Sequence, residues 1–449
     1  MPKIRLYNPI EVKKREFDSK ILFSILFAQK NFSVVLGKKV NLYNYKKLFK
    51  PGIFFFKGLG PKNYKPIKEL VNLGFVCFSS DEEGLGADYD TEFELRIDKK
   101  SLKLIEKFFA WGNFQKEQIL KKLNDEFEKF IPSGNARLDI LKKPFRKIYD
   151  EEAKEIKKKH GNFVLLLTKF TSSNHAAFTV KEGEEYPTKR LWHQREFEFQ
   201  KDIMINLKKF LNEFNLKHPE IRLVVRPHPI ENKENWKEWT KNLKNIHLSI
   251  DDYNTNSWIL ASDFNISSNC TTSMESAFLE KKTINFVTKK DELIEIKAFE
   301  KISKEVNTNQ ELIKVIEDWM IKNNHFECKN IYETEGMEYY VENKLSNFCD
   351  NILPYIEKSI HKISKKNDKK NSKINFLILK FIRNIKNIFY GFKASKTERY
   401  VGLQKIDSLQ IIDVQKRLDH WLRALGIKKD SLFVKEIYPG CFCIEKKEN

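Results

Sequence analysis

The sequence has few cysteines and none of the common nucleotide-binding or hydrolytic signatures. Its 449 residues include 6 Cys, too few for a disulfide scaffold, and no two of them form a CxxC pair. We therefore expect a reduced, intracellular protein without a zinc ribbon or a thioredoxin-type redox site. The absence of GxGxxG, GxxxxGKS/T, HExxH and GxSxG argues against dinucleotide, P-loop, zincin and serine-hydrolase sites.

Long apolar runs are also missing. The runs at residues 21–28 and 375–379 are much shorter than the ~20 residues of a transmembrane helix. The first residues lack the apolar core of a secretory signal. We expect a cytoplasmic protein, either soluble or peripherally bound to the inner membrane.

Apolar and charged residues are abundant. A hydrophobic content of 41% with 13% aromatics excludes a chain that is disordered throughout, and the length suggests two or three domains. Lys and Arg number 82 against 62 Asp and Glu, a formal net charge of +20. A polyanion-binding protein therefore stays a candidate, although no RRM, KH or helix-turn-helix signature supports nucleic acid as the partner.

Positive charge is concentrated near the C-terminus. Residues 351–400 hold thirteen Lys and Arg against three Asp and Glu. A polar linker at 363–373 leads into residues 374–390, whose apolar side chains share one helical face. Such a basic amphipathic helix suits an anionic membrane surface; the alternative is that it packs on the protein body with its lysines solvated. The membrane surface is thus a candidate partner of residues 363–390, within a basic helical tail at 351–449.

Short apolar strands alternate with helices along most of the chain. We predict strands at 32–37, 52–56, 75–78, 162–168, 221–225, 246–250, 263–266 and 284–287, and helices at 19–29, 101–111, 142–159, 195–214, 271–280 and 309–322. This alternation predicts parallel sheets. We expect an α/β protein in which two doubly wound Rossmann-like domains, 1–150 and 151–350, face a cleft.

Ligands of such sheets bind beyond the carboxyl ends of the strands, and three of these positions carry unusual residues. The first is Arg226-Pro227-His228-Pro229, which directly follows a predicted strand. Two prolines fix the backbone on either side of His228, and a guanidinium beside an imidazole suits a phosphate or pyrophosphate. The alternative is a buried turn without a ligand.

The second position is the hydroxyl-rich run at residues 267–273, between a predicted strand and a predicted helix. Hydroxyl groups beside the free N–H groups of a helix N-terminus form an anion site that needs no metal. Glu275, in the first helical turn, would cap the helix or contact a ribose. An ordinary N-cap needs only one hydroxyl, whereas this run holds several.

The third position is the acidic loop Asp81-Glu82-Glu83-Gly84, in the first half of the chain. Crowded carboxylates can raise the pKa of one member, which would suit a general base. Acidic loops are common on protein surfaces, so an ordinary solvated loop remains the alternative.

Together these motifs resemble those of bacterial surface-carbohydrate biosynthesis proteins. The Arg-Pro-His-Pro motif and the later Ser-Ser-x-Cys-Thr-Thr-Ser-x-Glu run are similar to the C-terminal domain of that family. A His-Pro and a Ser/Thr pair of this kind also mark bacterial sialyltransferases, polysialyltransferases and CDP-glycerol glycerophosphotransferases, which are GT-B-type enzymes with two Rossmann domains. Further matches lie at 11–20 (EVKKREFDSK), 81–85 (DEEGL), 111–112 (WG) and 133–139 (SGNARLD), where Ala136 replaces the usual Pro.

The resemblance implies a role for each motif. The phosphate and ribose of a nucleotide-activated sugar would be held by Arg226, His228, Pro229, Ser267, Ser268, Thr271, Thr272 and Glu275. Glu82 would be the general base, with Glu83 beside it, and His228 could protonate the departing phosphate. Arg15, Arg137 and Asp139 are candidate cleft residues. The first domain would then bind the acceptor and the second the nucleotide sugar.

The resemblance thus implies an inverting glycosyltransferase of capsule or lipopolysaccharide synthesis that needs neither a metal nor a cofactor. Its partners would be a nucleotide-sugar donor, with a CMP-linked acidic sugar as the leading candidate, and a glycan or lipid-linked glycan acceptor. A polyol-phosphate transferase that uses a CDP donor for teichoic-acid-like polymers, and a non-enzymatic polyanion-binding protein, are the alternatives.

Overall fold

The chain forms two compact units in a computed structural model that describes residues 3–85, 93–123, 127–176, 191–251, 253–364 and 409–447. The first unit comprises Met1–Ile140 and Gly336–Asn449, and the second comprises Leu141–Glu335. The chain therefore leaves the first unit once and returns to it. This division differs from the predicted boundaries at 150 and 350, because the residues after 336 rejoin the first unit.

The first unit is built on one sheet covered by helices. Its strands are β1 (Arg5–Ile10), β2 (Ser33–Lys38), β3 (Ile53–Lys57), β4 (Val76–Ser80), β5 (Phe108–Ala110), β6 (Phe130–Pro132), β13 (Leu432–Tyr438) and β14 (Cys441–Lys446). Its α-helices are α1 (Lys13–Gln29), α2 (Lys39–Tyr45), α3 (Tyr64–Asn72), α4 (Phe93–Arg96), α5 (Lys99–Leu104), α6 (Asn113–Leu120), α7 (Ala136–Asp139), α15 (Phe348–Ser359) and α16 (Ile411–Ala424). Short 3-10 helices lie at Pro61–Asn63, Phe127–Lys129, Glu342–Lys344, Ile360–Lys362 and Lys429–Ser431.

The strand order of this sheet is β13-β14-β2-β1-β3-β4-β5-β6. Strands β1 to β6 pair in parallel, and β14 joins β2 in antiparallel orientation. The strands predicted at 32–37, 52–56 and 75–78 are present within two residues of the expected bounds. The helix predicted at 101–111 ends earlier, because the apolar run Phe108–Ala110 is buried as β5 between β4 and β6.

The C-terminal residues complete the first unit. Strand β14 is buried along Cys441–Ile444 and covers the edge of β2, while β13 forms the outer strand. Helix α16 buries Trp421 and is tied to α1 by a two-pronged contact between Arg417 and Asp18. The described part of the predicted tail therefore consists of most of α15, the 3-10 helix Ile360–Lys362, helix α16 and a hairpin that pairs with the sheet. The basic segment 365–408, including the predicted amphipathic helix, lies outside the described residues.

The second unit contains an entirely parallel sheet. Its strands are β7 (Val164–Leu167), β8 (Leu223–Arg226), β9 (Ile246–Leu248), β10 (Phe264–Ser267), β11 (Thr283–Phe286) and β12 (Lys304–Val306), in the order β12-β11-β10-β7-β8-β9. Its α-helices are α8 (Lys143–Arg146), α9 (Asp150–His160), α10 (Leu191–Lys217), α11 (Lys233–Thr240), α12 (Thr255–Ala261), α13 (Thr272–Phe278) and α14 (Asn309–Met320), with 3-10 helices at Lys147–Tyr149 and Lys297–Lys301. The five strands predicted here are all present, and the alternation of the sequence explains the parallel pairing.

The packing of α16 gives a testable consequence. Trp421 is fully buried, so Trp421→Ala should lower the free energy of unfolding by about 3–5 kcal/mol. Because the C-terminal residues belong to the first unit, chemical denaturation should show that unit unfolding earlier as a whole. The control is Ile412→Ala on the same helix, at a position that is 54% exposed. A separate early transition, with the rest of the first unit unaffected, would contradict this packing.

Candidate functional site

The strand order gives each sheet one topological switch point. In the first unit β1 lies between β2 and β3, so the chain proceeds to one side of β1 and then returns to the other. In the second unit β7 lies in the same way between β8 and β10. Ligands of open parallel sheets bind at the carboxyl ends of the strands at such points. The loops that follow β1, β3, β7 and β10 are therefore the candidate regions.

The loop after β10 holds the hydroxyl-rich run. Ser267 and Ser273 are fully buried and share a hydrogen bond of 2.5 Å between their hydroxyl groups. Asn269 adopts a positive φ of 45°, and its side chain bonds to the backbone of Ile294 (2.8 Å) and Ile296 (2.9 Å). These three side chains hold the shape of the loop. Ser267 was predicted to bind the nucleotide; the structure shows its contact with Ser273, and nucleotide binding by Ser267 stays a prediction.

The other polar residues of this run are Ser268, Thr271, Thr272 and Glu275. Ser268 is buried. The Thr272 hydroxyl oxygen is buried without a hydrogen-bond partner in the described part of the chain. Helix α13 is only two turns long, so its N-terminus alone does not define an anion site. Contact of these four residues with a nucleotide stays a prediction, supported by their place at the switch point.

The side chain of Arg226, at the end of β8, makes hydrogen bonds to other residues of the second unit. Its guanidinium donates to the Ser249 hydroxyl (2.9 Å), to Asp251 Oδ1 (3.1 Å) and to the Tyr253 carbonyl oxygen. These contacts assign Arg226 to holding the loop between β9 and α12. Its predicted role as a direct phosphate ligand gains no support from the geometry.

His228 is held in one orientation by its neighbours. Its backbone N–H donates to Glu231 Oε1 (3.0 Å), and its ring Nδ1 accepts from the backbone N–H of Ile230 (3.3 Å). An Nδ1 that accepts a hydrogen bond carries no proton, so the neutral ring has its proton on Nε2. That tautomer presents an N–H donor, as phosphate recognition requires. The adjacent Pro229 is exposed and helps to fix the turn.

Glu231 is a structural centre of this site that sequence reasoning missed. It is fully buried and accepts hydrogen bonds from the side chains of Thr168 (2.7 Å) and Trp236 (2.8 Å) and from the backbone N–H of Phe170 (3.1 Å) as well as of His228. Burial raises its pKa, and the hydrogen bonds partly offset that rise. Glu231 thereby ties the loop after β7 to the loop after β8. The sequence signal that could have identified Glu231 is its position two residues after the Pro-His-Pro run.

In the first unit, the acidic loop after β4 is fixed through its backbone. The indole N–H of Trp111 donates to the Asp81 carbonyl (2.7 Å), and Asn135 Nδ2 donates to the same oxygen (3.1 Å). Arg137 donates to the Glu82 carbonyl (3.1 Å). The motifs at 111–112 and 133–139 therefore serve to hold the acidic loop.

A small pocket lies beside Glu82, at the switch point of this sheet. Polar residues line one part of it: Asn8, Ser19, Lys20, Lys57, Ser80, Glu82 and Asn135. The remainder is Phe23, Phe55, Phe56, Ala136 and Phe348. The structure thus brings Glu82 together with residues from β1, α1, β3 and α15. Sequence reasoning did not identify Asn8, Lys20 or Lys57.

The electrostatics of Glu82 are opposite to the expected ones. Its side chain is 7% exposed, and burial alone would raise the pKa. The positive charges of Lys20, Lys57, Arg137 and Arg15 outweigh burial and lower the pKa to about 2. Lys20 Nζ is nearest, at 3.4 Å from Oε1. The expectation of a raised pKa is wrong for Glu82, which is a carboxylate at any pH near neutrality.

Three of the four cations around Glu82, Lys20, Lys57 and Arg15, face carboxylates. Lys57 Nζ lies 2.5 Å from Glu16 Oε1 and 3.1 Å from Glu11 Oε2. Glu16 is fully buried and also accepts from the backbone N–H of Glu11 (2.9 Å), which fixes the start of α1. Arg15 contacts the exposed carboxylate of Glu83 at 3.3 Å. Arg15 and Glu83 are therefore part of this cluster, as a pair on its outer side.

Asp139 does not line the pocket. It accepts from Asn343 Nδ2 (2.7 Å) and from the backbone N–H of Phe348 (2.9 Å). These bonds attach the returning chain to the first unit. The prediction that Asp139 is a cleft residue gains no support from these contacts.

The described residues contain neither a candidate metal centre nor a candidate membrane span. No group of three or more His, Cys, Asp or Glu side chains there could hold a metal ion. Within the same residues, no helix is both long enough and apolar enough to cross a membrane.

Comparison with known proteins identifies the fold. No protein-family model matches the sequence, and no curated protein matches it. The Methanocaldococcus jannaschii UDP-GlcNAc 2-epimerase in complex with UDP-GlcNAc and UDP matches with a TM-score of 0.50 at 12% identity, over 79% of this chain and 99% of that one. The S. aureus MnaA–UDP structure matches with a TM-score of 0.51 at 12% identity, over 83% of this chain and 100% of that one. The Neisseria meningitidis UDP-GlcNAc 2-epimerase bound to UDP-GlcNAc matches with a TM-score of 0.50 at 14% identity, over 80% of this chain and 100% of that one.

At such low identity the likeness shows the fold alone. The chain has a GT-B-like architecture with two Rossmann-type units, so the predicted fold class is confirmed. The resemblance to sialyltransferases stays a prediction.

The contacts of Glu231 give a prediction for the second unit. Glu231→Gln replaces a carboxylate that accepts five hydrogen bonds, one of them from Asn174 Nδ2 (3.5 Å), with an amide whose NH2 end faces donors. We expect the free energy of unfolding to fall by about 2 kcal/mol or more. The control is Glu234→Gln, three residues away, whose side chain is 78% exposed and pairs with Lys237. Equal stability of the two variants in chemical denaturation would contradict the central role of Glu231.

Proposed function

We propose that this protein is a metal-independent glycosyltransferase of cell-surface polysaccharide synthesis that moves a sugar from a nucleotide-activated donor to a hydroxyl of a glycan acceptor. The observation that carries the proposal is that the predicted motifs lie at or beside the switch points: the hydroxyl-rich loop follows β10, the His228 loop follows β8 next to β7, and Glu82 lines the pocket between β1 and β3. The second unit presents His228 and the hydroxyl-rich loop, and the first presents an ionised Glu82 in a pocket. The fold supports binding of a nucleotide sugar, since the matching structures named above contain UDP or UDP-GlcNAc, although two of them are epimerases.

The second unit supplies the donor side of the reaction. A departing nucleotide phosphate needs hydrogen-bond donors at fixed positions. The Nε2–H of His228, held by Ile230 and Glu231, is such a donor, and Ser268, Thr271 and Thr272 would add hydroxyl groups. We assign Arg226 a positioning role through the loop that follows β9.

The first unit supplies the acceptor side. The acceptor oxygen forms a bond to the anomeric carbon while the bond from that carbon to the donor phosphate breaks, and its electron pair leaves with the phosphate. The hydroxyl proton passes to the Glu82 carboxylate. Since a group with a pKa of about 2 is a weak base, proton transfer follows once the forming C–O bond has made the hydroxyl acidic.

The donor is proposed to be a CMP-linked acidic sugar, as the motif resemblance implies, with an acceptor at the inner face of the membrane. A CDP-linked polyol phosphate is the second donor candidate, because the same His-Pro and Ser/Thr motifs serve both. Isothermal titration calorimetry with CMP, CDP, UDP and GDP, without added metal, distinguishes the nucleotides. Product analysis by NMR with the corresponding donors then separates transfer from epimerisation of the donor.

Substitution of His228 tests the donor site. His228→Ala removes the Nε2–H donor, and we expect the affinity for the preferred nucleotide to fall about tenfold or more. The control is His218→Ala. His218 is also followed by proline, but it follows α10 and its Nδ1 lies 3.3 Å from Glu220 Oε1. Unchanged binding by His228→Ala, or an equal loss in both variants, would contradict the assignment, and failure of every nucleotide to bind the folded wild type would overturn the proposed function.

Substitution of Glu82 tests the acceptor side. Glu82→Gln keeps the shape of the side chain but removes the proton acceptor, so transfer should fall by about a hundredfold or more. Nucleotide affinity should stay unchanged because Glu82 belongs to the first unit. Full transfer activity in a folded Glu82→Gln protein would contradict the general-base assignment.

The lowered pKa of Glu82 also predicts a pH profile. A carboxylate with a pKa of about 2 stays ionised as the pH falls through the ordinary range, so acidification should cause no loss of kcat/KM with a midpoint near 4.5. Lys20→Met removes the nearest cation and should move any acidic midpoint upward. An acidic limb near 4.5 in the wild type, unaffected by Lys20→Met, would contradict this account.

A further inference from the structure

Two residues that line the pocket of the first unit each have a buried polar atom without a hydrogen-bond partner among the described residues. Asn8 is 1% exposed and Glu82 is 7% exposed. Within the described residues, neither Asn8 Nδ2 nor Glu82 Oε2 has a hydrogen-bond partner. Both residues line the same pocket. Native proteins leave few buried polar atoms unpaired, so two in one pocket call for an explanation.

The chemistry of the two atoms is complementary to one type of group. An amide NH2 donates a hydrogen bond, and a carboxylate oxygen accepts one. An alcohol does both, because its oxygen accepts while its proton is donated. One hydroxyl can therefore satisfy Asn8 and Glu82 together, whereas a phosphate or carboxylate would face Glu82 with a repulsive charge.

The local charges favour an uncharged ligand. The Lys20 ammonium lies 3.4 Å from Glu82, Lys57 lies 2.5 Å from Glu16, and Arg15 lies 3.3 Å from Glu83. Each of these cations already faces a carboxylate. An anionic ligand would have to separate one of these pairs, while a neutral alcohol enters without doing so.

The apolar part of the pocket strengthens this selection. Phe23, Phe55, Phe56 and Phe348 line the same pocket, and apolar surroundings strengthen a hydrogen bond made there and make an unpaired polar atom costly. The pocket also lies at the switch point between β1 and β3, with Asn8 on β1 and Lys57 at the end of β3.

We infer that this pocket binds one hydroxyl group of an uncharged sugar or polyol, with Asn8 Nδ2 donating to the hydroxyl oxygen and Glu82 Oε2 accepting its proton. The inference rests on the proposed function in that this hydroxyl is the one to which the sugar is transferred. Asn8 is thus assigned a role in acceptor binding.

The kinetic experiment uses Asn8→Leu in the full-length chain, which removes the donor while largely conserving volume. We expect the KM for the acceptor to rise about tenfold, with the affinity for the donor nucleotide unchanged. The matched control is Asn41→Leu, a buried asparagine on α2 of the same unit that does not line the pocket. An unchanged acceptor KM in Asn8→Leu would overturn the inference while leaving the proposed function intact.

A binding experiment does not depend on transfer. Saturation-transfer NMR with glycerol as the probe should show contact with the wild type and with Asn41→Leu, and a loss of that contact in Asn8→Leu. This pattern would support the subsite even if no donor nucleotide bound, which is how failure of the proposed function would be recognised. Absence of saturation transfer to glycerol in the wild type, or equal transfer in all three proteins, would overturn the subsite.

A second variant guards against misfolding. If thermal unfolding shows that Asn8→Leu is not folded, Asn8→Ala provides the same test, since it also lacks the donor and adds no bulk. The same outcomes apply to it, because any folded variant without the amide should lose contact with glycerol.

Discussion

The position of the first strand in each sheet is the constraint on which both candidate sites depend. Strands β1 and β7 each have later strands on both sides, so the loops that leave them diverge from those of their neighbours. The crevice formed there admits a ligand to the backbone and to the side chains at the carboxyl ends. The pocket beside Glu82 and the loop that carries Ser268 lie at these positions, and the loop that carries His228 follows the neighbouring strand β8. The strand order therefore determines where the candidate sites lie, and the side chains at those positions determine which groups they can bind.

Buried carboxylates then fix the loops in these crevices. Glu231 joins two loops of the second unit, Glu16 fixes the start of α1, and Asp139 attaches the returning chain. Burial of a charge is costly unless hydrogen bonds or an opposite charge compensate it. Each of these acids accepts backbone N–H groups that would otherwise be unpaired, so the same contact satisfies the loop and the carboxylate. A loop held in this way presents its side chains at fixed positions.

The sequence predicted much of this arrangement, and its errors have physical reasons. Apolar runs such as residues 221–225 identify buried strands, because burial on both faces requires them. Strand β1 was missed since Asn8 and Pro9 interrupt its apolar pattern, and Asn8 lines the pocket. The C-terminal hairpin was missed because its pairing with β2 joins residues far apart in the chain. The motif residues lie at the expected strand ends. Arg226 and Ser267, however, make hydrogen bonds to other residues of the protein, and the sequence around a motif does not predict such hydrogen-bond partners.

The charge around Glu82 shows why the pKa of a carboxylate cannot be inferred from its own loop. Its sequence neighbours are acidic and favour a raised pKa, whereas the cations that lower it come from α1, β3 and the start of α7. Because these cations lower the pKa of Glu82, its carboxylate is a weaker base but stays ionised, and able to accept a proton, over a wide range of pH. The base then suits a reaction in which bond formation to carbon precedes proton transfer, because the hydroxyl becomes strongly acidic only as that bond forms. A sugar carbon that develops positive charge as its phosphate departs provides such a reaction.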